Sequence, residues 1–200
     1  MIRLLGRHTS GNVQKVLWLL EELDLKYERE DYGRQFGNTA DAAYLDLNPT
    51  GKVPTLVDGD IVVWESNTIL RYLCGQTGSD FLPVDPSLRC KSEVWMDWQL
   101  AALNDPYVAV FRESKKPAEE RSPDLQQKGD ALAEQLTLLD GRLDGRDWLG
   151  ADGMSVAEFA LGPIVHRCLN FPVELPAFGN LRSWHARIAE RPAFQKVVLG

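Results

Sequence analysis

Three short stretches carry side chains whose type and spacing suit chemistry. The first is Asn48-Pro49-Thr50-Gly51-Lys52-Val53-Pro54-Thr55-Leu56-Val57, where an apolar, β-branched run opens on a proline. Proline has no N–H for a sheet ladder. Pro54 must therefore sit on an edge, at a strand's first residue, or in a bend with a cis bond. Cis bonds are a minority, ~5–6% of X–Pro bonds in folded proteins, so a fold that keeps one uses its geometry. The second stretch is Glu65-Ser66, which follows a strand-like run and opens a helical one. A helix N-terminus offers free N–H groups and a positive dipole end, a seat for a carboxylate. A serine N-cap beside an exposed glutamate fits the same two residues. The third is the first loop, Thr9-Ser10-Gly11-Asn12, where hydroxyl and amide side chains stand at the mouth of an amphipathic helix and are able to cap it.

Other reactive residues read as structural. His8, His166 and His185 are not spaced as a metal set and no carboxylate cluster accompanies them, so no metal is expected. The three cysteines, Cys74, Cys90 and Cys168, are widely separated with no CxxC, which suggests reduced thiols and a cytoplasmic protein. Trp95, Trp98, Tyr107 and Phe111 recur at helical intervals, as core or dimer contacts with some lining an apolar pocket.

The elements that must position these residues follow from periodicity. Residues 2–5 and 27–31 are short strand candidates. Between them Val13, Val16, Leu17, Leu20 and Leu23 mark a helix. A loop at 33–38 and a weak helical stretch at 40–47 come next. Residues 55–58 and 61–64 read as strands joined by Asp58-Gly59-Asp60, a hairpin signal, and 66–74 as a helix. That order makes a mixed α/β unit with a four-stranded sheet. Residues 78–86 carry two prolines and no periodicity. Beyond them only helices are expected, at 88–112, 125–143, 155–169, 180–189 and 192–199. Ser155-Val156-Ala157-Glu158 has capping-box spacing. The reading is α+β: an α/β domain over 1–78, a linker over 79–88 and an all-α domain over 89–200.

Bulk properties exclude several classes. With 44% hydrophobic and 26% charged residues the chain has the composition of a soluble globular protein. Its 22 lysines and arginines against 29 acidic residues leave a net charge of −7 with no basic block, which argues against nucleic acid as a partner. The longest apolar runs hold about five residues, against the ~20 needed to span a bilayer, and the N-terminus has no signal-peptide core.

This order of elements, together with four motifs, resembles the cytosolic glutathione transferase superfamily over essentially the whole chain, and in particular its bacterial serine-type, theta- or nu-like members. The motifs are Thr9-Ser10-Gly11-Asn12-Val13-Gln14-Lys15-Val16, Asn48-Pro49-Thr50-Gly51-Lys52-Val53-Pro54-Thr55-Leu56, Trp64-Glu65-Ser66-Asn67-Thr68-Ile69 and Ser155-Val156-Ala157-Glu158-Phe159-Ala160. The resemblance implies a thioredoxin-like first domain that binds glutathione and a helical bundle that supplies most of the second substrate's pocket. It implies a cis Val53–Pro54 bond and a Val53 backbone that pairs with the cysteinyl part of glutathione as an added strand. Ser66 then meets the γ-glutamyl carboxylate, Glu65 the ammonium and Lys52 the glycyl carboxylate, with Gln35 and Arg34 as weaker candidates.

The chemistry implied is stabilisation of a thiolate. A free thiol has a pKa of about 8.5, and each unit of depression needs about 1.4 kcal/mol of preference for the anion. Counting back from Val16, the serine of the serine-type classes falls on Ser10. Thr9 is its neighbour, and Asn12 matches an asparagine used for the sulfur in some bacterial relatives. The expected protein is a homodimeric transferase that directs glutathione, as co-substrate and with no other cofactor, at a small apolar electrophile. A glutathione-dependent disulfide-bond reductase and a non-catalytic binding module of the same fold are the alternatives. The absence of a first-loop cysteine argues against omega-type chemistry, and the absence of a Ser-Ser-Cys loop against zeta-type isomerisation. Glu158 stands where the family's capping box usually has aspartate, and its longer side chain should still close the box.

Overall fold

The computed structural model describes residues 1–150 and 153–200. Strand β1 (Ile2–Leu5) leads through helix α1 (Gly11–Glu22) to β2 (Tyr27–Glu30), and a short helix α2 (Ala42–Leu45) precedes the hairpin β3 (Thr55–Asp58) and β4 (Ile61–Trp64). Helix α3 (Ser66–Thr77) follows. The sheet order is β2-β1-β3-β4, with β1 and β2 parallel and the other two pairs antiparallel. A parallel pair needs a crossover, and α1 supplies it. Leu4 pairs with Leu56 at the sheet's centre, and both are fully buried. This is the expected four-stranded thioredoxin-like unit. Gly6 ends β1 because a Cβ there would lie 2.5 Å from Val13 Cγ2, so only glycine lets the first loop pack on α1.

The rest is helical: α4 (Pro86–Trp98), α5 (Asn104–Ser114), α6 (Leu125–Arg142), α7 (Val156–Cys168), α8 (Gly179–Ala189) and a short α9 (Pro192–Phe194). The helix expected at 88–112 is two pieces joined by a π turn at Gln99–Leu103. Pro106 explains the break, since it has no N–H to donate to the Ala102 carbonyl and its ring would clash there. Helix α4 starts earlier than expected, on a signal that composition hides: Asp85 caps it by accepting from the Ser87 N–H at 2.7 Å, with Pro86 in the first turn.

The chain forms two compact units, Met1–Pro83 with Ala189–Gly200, and Val84–Ile188. The tail therefore groups with the α/β unit, whereas the sequence division assigned it to the helical domain. Contacts with α1 hold it there. Arg191 Nε and Nη2 donate to both Glu22 carboxylate oxygens at 2.6 Å, and Lys196 pairs with Glu21 at 2.7 Å. Gln14 Nε2 donates to the Val197 carbonyl at 3.2 Å, and Phe194 meets Trp18 edge-on at 4.8 Å. None of these pairings across the length of the chain has a periodic signature.

In the helical unit α7 is the central element, buried from Val156 to Val165. Glu158 closes the capping box despite its extra methylene. Its carboxylate accepts from the N–H groups of Ser155 (2.7 Å) and Leu149 (2.6 Å), while the Ser155 hydroxyl accepts from the Ala157 N–H at 3.3 Å. Burial lifts the Glu158 carboxyl above its ordinary range, and these N–H groups oppose that lift. Glu158→Ala is expected to leave two buried donors without an acceptor at roughly 1–3 kcal/mol each, more than the roughly 0.5–2 kcal/mol expected for Ser155→Ala. A lower urea midpoint at unchanged slope checks the order; equal losses would mean that the Leu149 bond contributes nothing.

Candidate active site

Three segments of the α/β unit meet at a narrow cleft of about 40 Å³. The first is the start of α1. Ser10 is its N-cap in extended backbone; its N–H donates to the Arg7 carbonyl at 3.1 Å and its carbonyl accepts from Gln14 N–H at 2.9 Å. The Ser10 side chain makes no capping bond, and the residue is 8% exposed. Asn12, two residues on, is exposed and lines the cleft.

The second segment is the bend before β3, held by a buried polar clasp. Asn48 is 1% exposed and uses its whole amide: Nδ2 donates to the Lys52 carbonyl (2.9 Å) and to Thr55 Oγ1 (3.0 Å). Its Oδ1 accepts from the Thr50 N–H (3.1 Å) and hydroxyl (2.7 Å). Tyr44 Oη donates to the same Lys52 carbonyl at 2.6 Å and lies 2.9 Å from Thr55 Oγ1. The Lys52 backbone is thus pinned inward from both sides while its side chain stays exposed. The Val53–Pro54 bond is cis, as expected, and Pro54 is buried at the first step into the strand.

The third segment is the turn from β4 into α3. Glu65, the N-cap, has φ 67° and ψ 115°, a conformation a glutamate adopts only under constraint, and Ser66 behind it is 3% exposed. Backbone outliers of this kind cost of order 1–3 kcal/mol and gather at ligand sites. The turn places the start of α3 at the cleft, which Glu65 and Ser66 line, and the first N–H groups of a helix have no partner within it.

Of the residues expected to act, the structure brings Asn12, Lys52, Val53, Pro54, Glu65 and Ser66 together around this cleft. Thr9 is exposed in the first loop, Ser10 is buried at the helix cap, and neither lines it. Gln35 and Arg34 lie on an exposed turn (Arg34–Phe36) outside it. Two contributors went unrecognised in the sequence. Tyr44, in the weak helical stretch, is half of the clasp. Lys15 lies wholly buried on α1, and burial brings its ammonium from the usual 10.5 to about 7 while the Glu65 carboxylate opposes the drop. The one available signal was a charged side chain inside a run, Val13 to Leu20, whose other members except Gln14 are apolar.

Lys15 carries a prediction with a definite sign. Between about pH 7 and 10.5 the unfolded chain binds more protons than the folded one, so stability rises with pH in that window. Below about pH 7 both states are protonated and the burial penalty is complete. Lys15→Met is expected to raise the thermal midpoint near pH 6 and to flatten its rise toward alkaline pH. A variant that is less stable near pH 6 would show that the interaction with Glu65 outweighs the cost of burial.

Comparison with known proteins identifies the family. The family described as "Glutathione S-transferase, N-terminal domain" matches residues 2–75, and "Glutathione S-transferase, C-terminal domain" matches residues 103–192. The chain is 39% identical to Glutathione S-transferase GstB of Escherichia coli K12, over all of this chain and 98% of that protein. It is 28% identical to the disulfide-bond oxidoreductase YfcG of the same organism, over 95% of this chain and 91% of that one. The theta class glutathione S-transferase of Xanthomonas axonopodis pv. citri, solved with glutathione bound, superposes with a TM-score of 0.95 at 33% identity, over all of this chain and 97% of that one.

Proposed function

Since the chain belongs to the glutathione S-transferase family, we propose that its α/β unit binds glutathione, holds the sulfur as a thiolate and delivers it to a small apolar electrophile. The observation that carries this reading is the meeting of Asn12, Lys52, Val53, Pro54, Glu65 and Ser66 at one cleft from three separate segments. A solved relative with glutathione bound at a TM-score of 0.95 supports the same ligand.

In this reading the γ-glutamyl carboxylate accepts from the Ser66 hydroxyl and the free N–H groups of α3, and the Glu65 carboxylate meets the ammonium. Val53 offers its backbone as an added strand, and Lys52 reaches the glycyl carboxylate from the surface. The thiol loses its proton to solvent, the N-terminus of α1 favours the resulting anion, and a side-chain donor completes its shell. Asn12 is the first candidate for that donor, because it lines the cleft and Ser10 and Thr9 do not. The sulfur then forms a bond to the electrophilic carbon as a leaving group departs with its electron pair. No cofactor besides glutathione as co-substrate enters. The protein would work as a homodimer in the cytoplasm, a setting that three free thiols suit.

Similarity to a disulfide-bond oxidoreductase favours a second reading, in which the same thiolate attacks a disulfide sulfur and a second glutathione resolves the mixed disulfide. Turnover of a halonitrobenzene against that of a small organic disulfide separates the two.

Ser66→Ala is expected to weaken glutathione binding on the order of tenfold to a hundredfold in calorimetry, with turnover at saturation kept, since a hydrogen bond to a charged group is worth roughly 1.5–3 kcal/mol. Unchanged affinity would place the γ-glutamyl end elsewhere, and no binding by the unaltered protein would leave only a binding module for other ligands. For the sulfur, the thiolate absorbance of the complex is titrated in Asn12→Ala, Ser10→Ala and Thr9→Ala. Asn12→Ala is expected to move the thiol pKa upward and to lower turnover at neutral pH, with affinity within a few-fold. A shift in Ser10→Ala alone would return the role to the buried serine.

A further inference from the structure

The polar groups behind the cleft form a closed ring in which every hydrogen has one assignment. Tyr44 Oη carries a single hydrogen and gives it to the Lys52 carbonyl at 2.6 Å. At its 2.9 Å contact with Thr55 Oγ1 the phenol must therefore accept, and the threonine donates. Asn48 Nδ2 carries two hydrogens, of which one goes to Thr55 Oγ1 at 3.0 Å and the other to the Lys52 carbonyl at 2.9 Å. Bonds in such a ring polarise one another, so removing one member weakens the rest. Burial holds the Tyr44 phenol above its ordinary pKa, against the opposing effect of Thr55 and Asn48, and the phenol stays a donor through neutral pH.

The acceptor of the ring belongs to a planar peptide unit that also contains the Lys52 Cα and the Val53 N–H. That unit is trans, so its C=O and N–H point in opposite directions. A carbonyl fixed on Tyr44 and Asn48 thus fixes the direction of the Val53 N–H and the place from which the Lys52 side chain starts. Lys52 and Val53 line the cleft, whereas Tyr44, 2% exposed, does not. Glu65 and Ser66 come to the same cleft from the turn into α3 and are not members of the ring. Tyr44 is itself backed by Tyr32, whose ring stacks on it at 4.9 Å and 28° and whose carbonyl accepts from the Arg7 N–H at 3.1 Å.

We infer that Tyr44 is a positioning residue whose hydroxyl makes the cleft select the tripeptide over γ-glutamylcysteine, the same thiol without its glycine. This rests on the glutathione reading, in which Val53 meets the cysteinyl backbone and Lys52 the glycyl carboxylate. Both contacts depend on the one peptide unit that Tyr44 holds. The γ-glutamyl half is gripped separately, by Glu65 and Ser66. Loosening the carbonyl therefore blurs recognition of the cysteinyl-glycyl half and leaves the other half as it was. Phenylalanine at position 44 keeps an aromatic ring against Tyr32 and removes only the hydroxyl.

Calorimetry of glutathione and γ-glutamylcysteine on the full-length protein, unaltered and as Tyr44→Phe, tests this. The unaltered protein is expected to prefer the tripeptide. Tyr44→Phe is expected to cut that preference about twofold to tenfold, the worth of one neutral hydrogen bond, chiefly through weaker glutathione binding. A ratio of two affinities on one sample does not depend on how much of the sample is folded, so a loss of stability alone leaves it unmoved. Tyr32→Leu, which removes the backing ring, should shift the ratio in the same sense, and it decides the question if Tyr44→Phe does not fold. Ser66→Ala should weaken both ligands and keep their ratio within about twofold, as expected for a residue that grips the half they share. No preference in the unaltered protein, or a preference that Tyr44→Phe leaves unchanged or raises, overturns the role of Tyr44 alone. An unaltered protein that binds neither thiol overturns the glutathione reading itself.

Discussion

One backbone carbonyl organises the first unit. The Lys52 C=O lies where the chain turns into β3, beside a proline that has no N–H to offer in exchange. Left unpaired, a polar group in that position costs on the order of 1–3 kcal/mol. Asn48 Nδ2 and Tyr44 Oη both donate to it, and Thr55 Oγ1 ties the two donors to the strand's first residue. With its carbonyl held by both donors, Lys52 stays exposed, and Val53 after it lines the cleft. The site is therefore braced from within by Tyr44, Asn48 and Thr55, of which Asn48 also lines the cleft.

Helix α1 links that site to the end of the chain. Its N-terminus faces the cleft through Asn12, and its last turn carries Glu21 and Glu22, which take Lys196 and Arg191. Every residue from Val13 to Leu20 is buried. A helix enclosed on all sides leaves no solvent face for its polar members, so Gln14 must find the Val197 carbonyl and Lys15 must tolerate burial near Glu65. Tail, helix and strained Glu65 are thus parts of one packing problem.

The helical unit solves a different one. A central helix whose first turn is buried has N–H groups that water cannot reach. Glu158 satisfies Ser155 at the helix start and Leu149 in the preceding segment at once. Around that fixed helix, α5 and α7 end near each other with their aromatic and basic residues directed at a shared cavity.

The sequence by itself determined the elements and their order, because these rest on local rules. Period-two and helical spacing set β1 to β4 and α1, α3, α6 and α7, and Asp58-Gly59-Asp60 and Ser155 to Glu158 announce a turn and a cap in a few residues each. Motif order was enough to name the family and to mark Val53-Pro54 and Glu65-Ser66. The tertiary structure alone decided the rest. Whether Ser10 or Asn12 faces the cleft depends on how α1 is rotated against the sheet, at about 100° per residue, which a pattern of apolar positions does not resolve to a single residue. That Lys15 is buried while Lys52 is exposed depends on what packs over each. The return of the tail to α1 rests on pairings such as Arg191 with Glu22, far apart in the chain. The cationic cavity likewise joins Lys115 to Arg167, residues whose proximity exists only once the helices have packed.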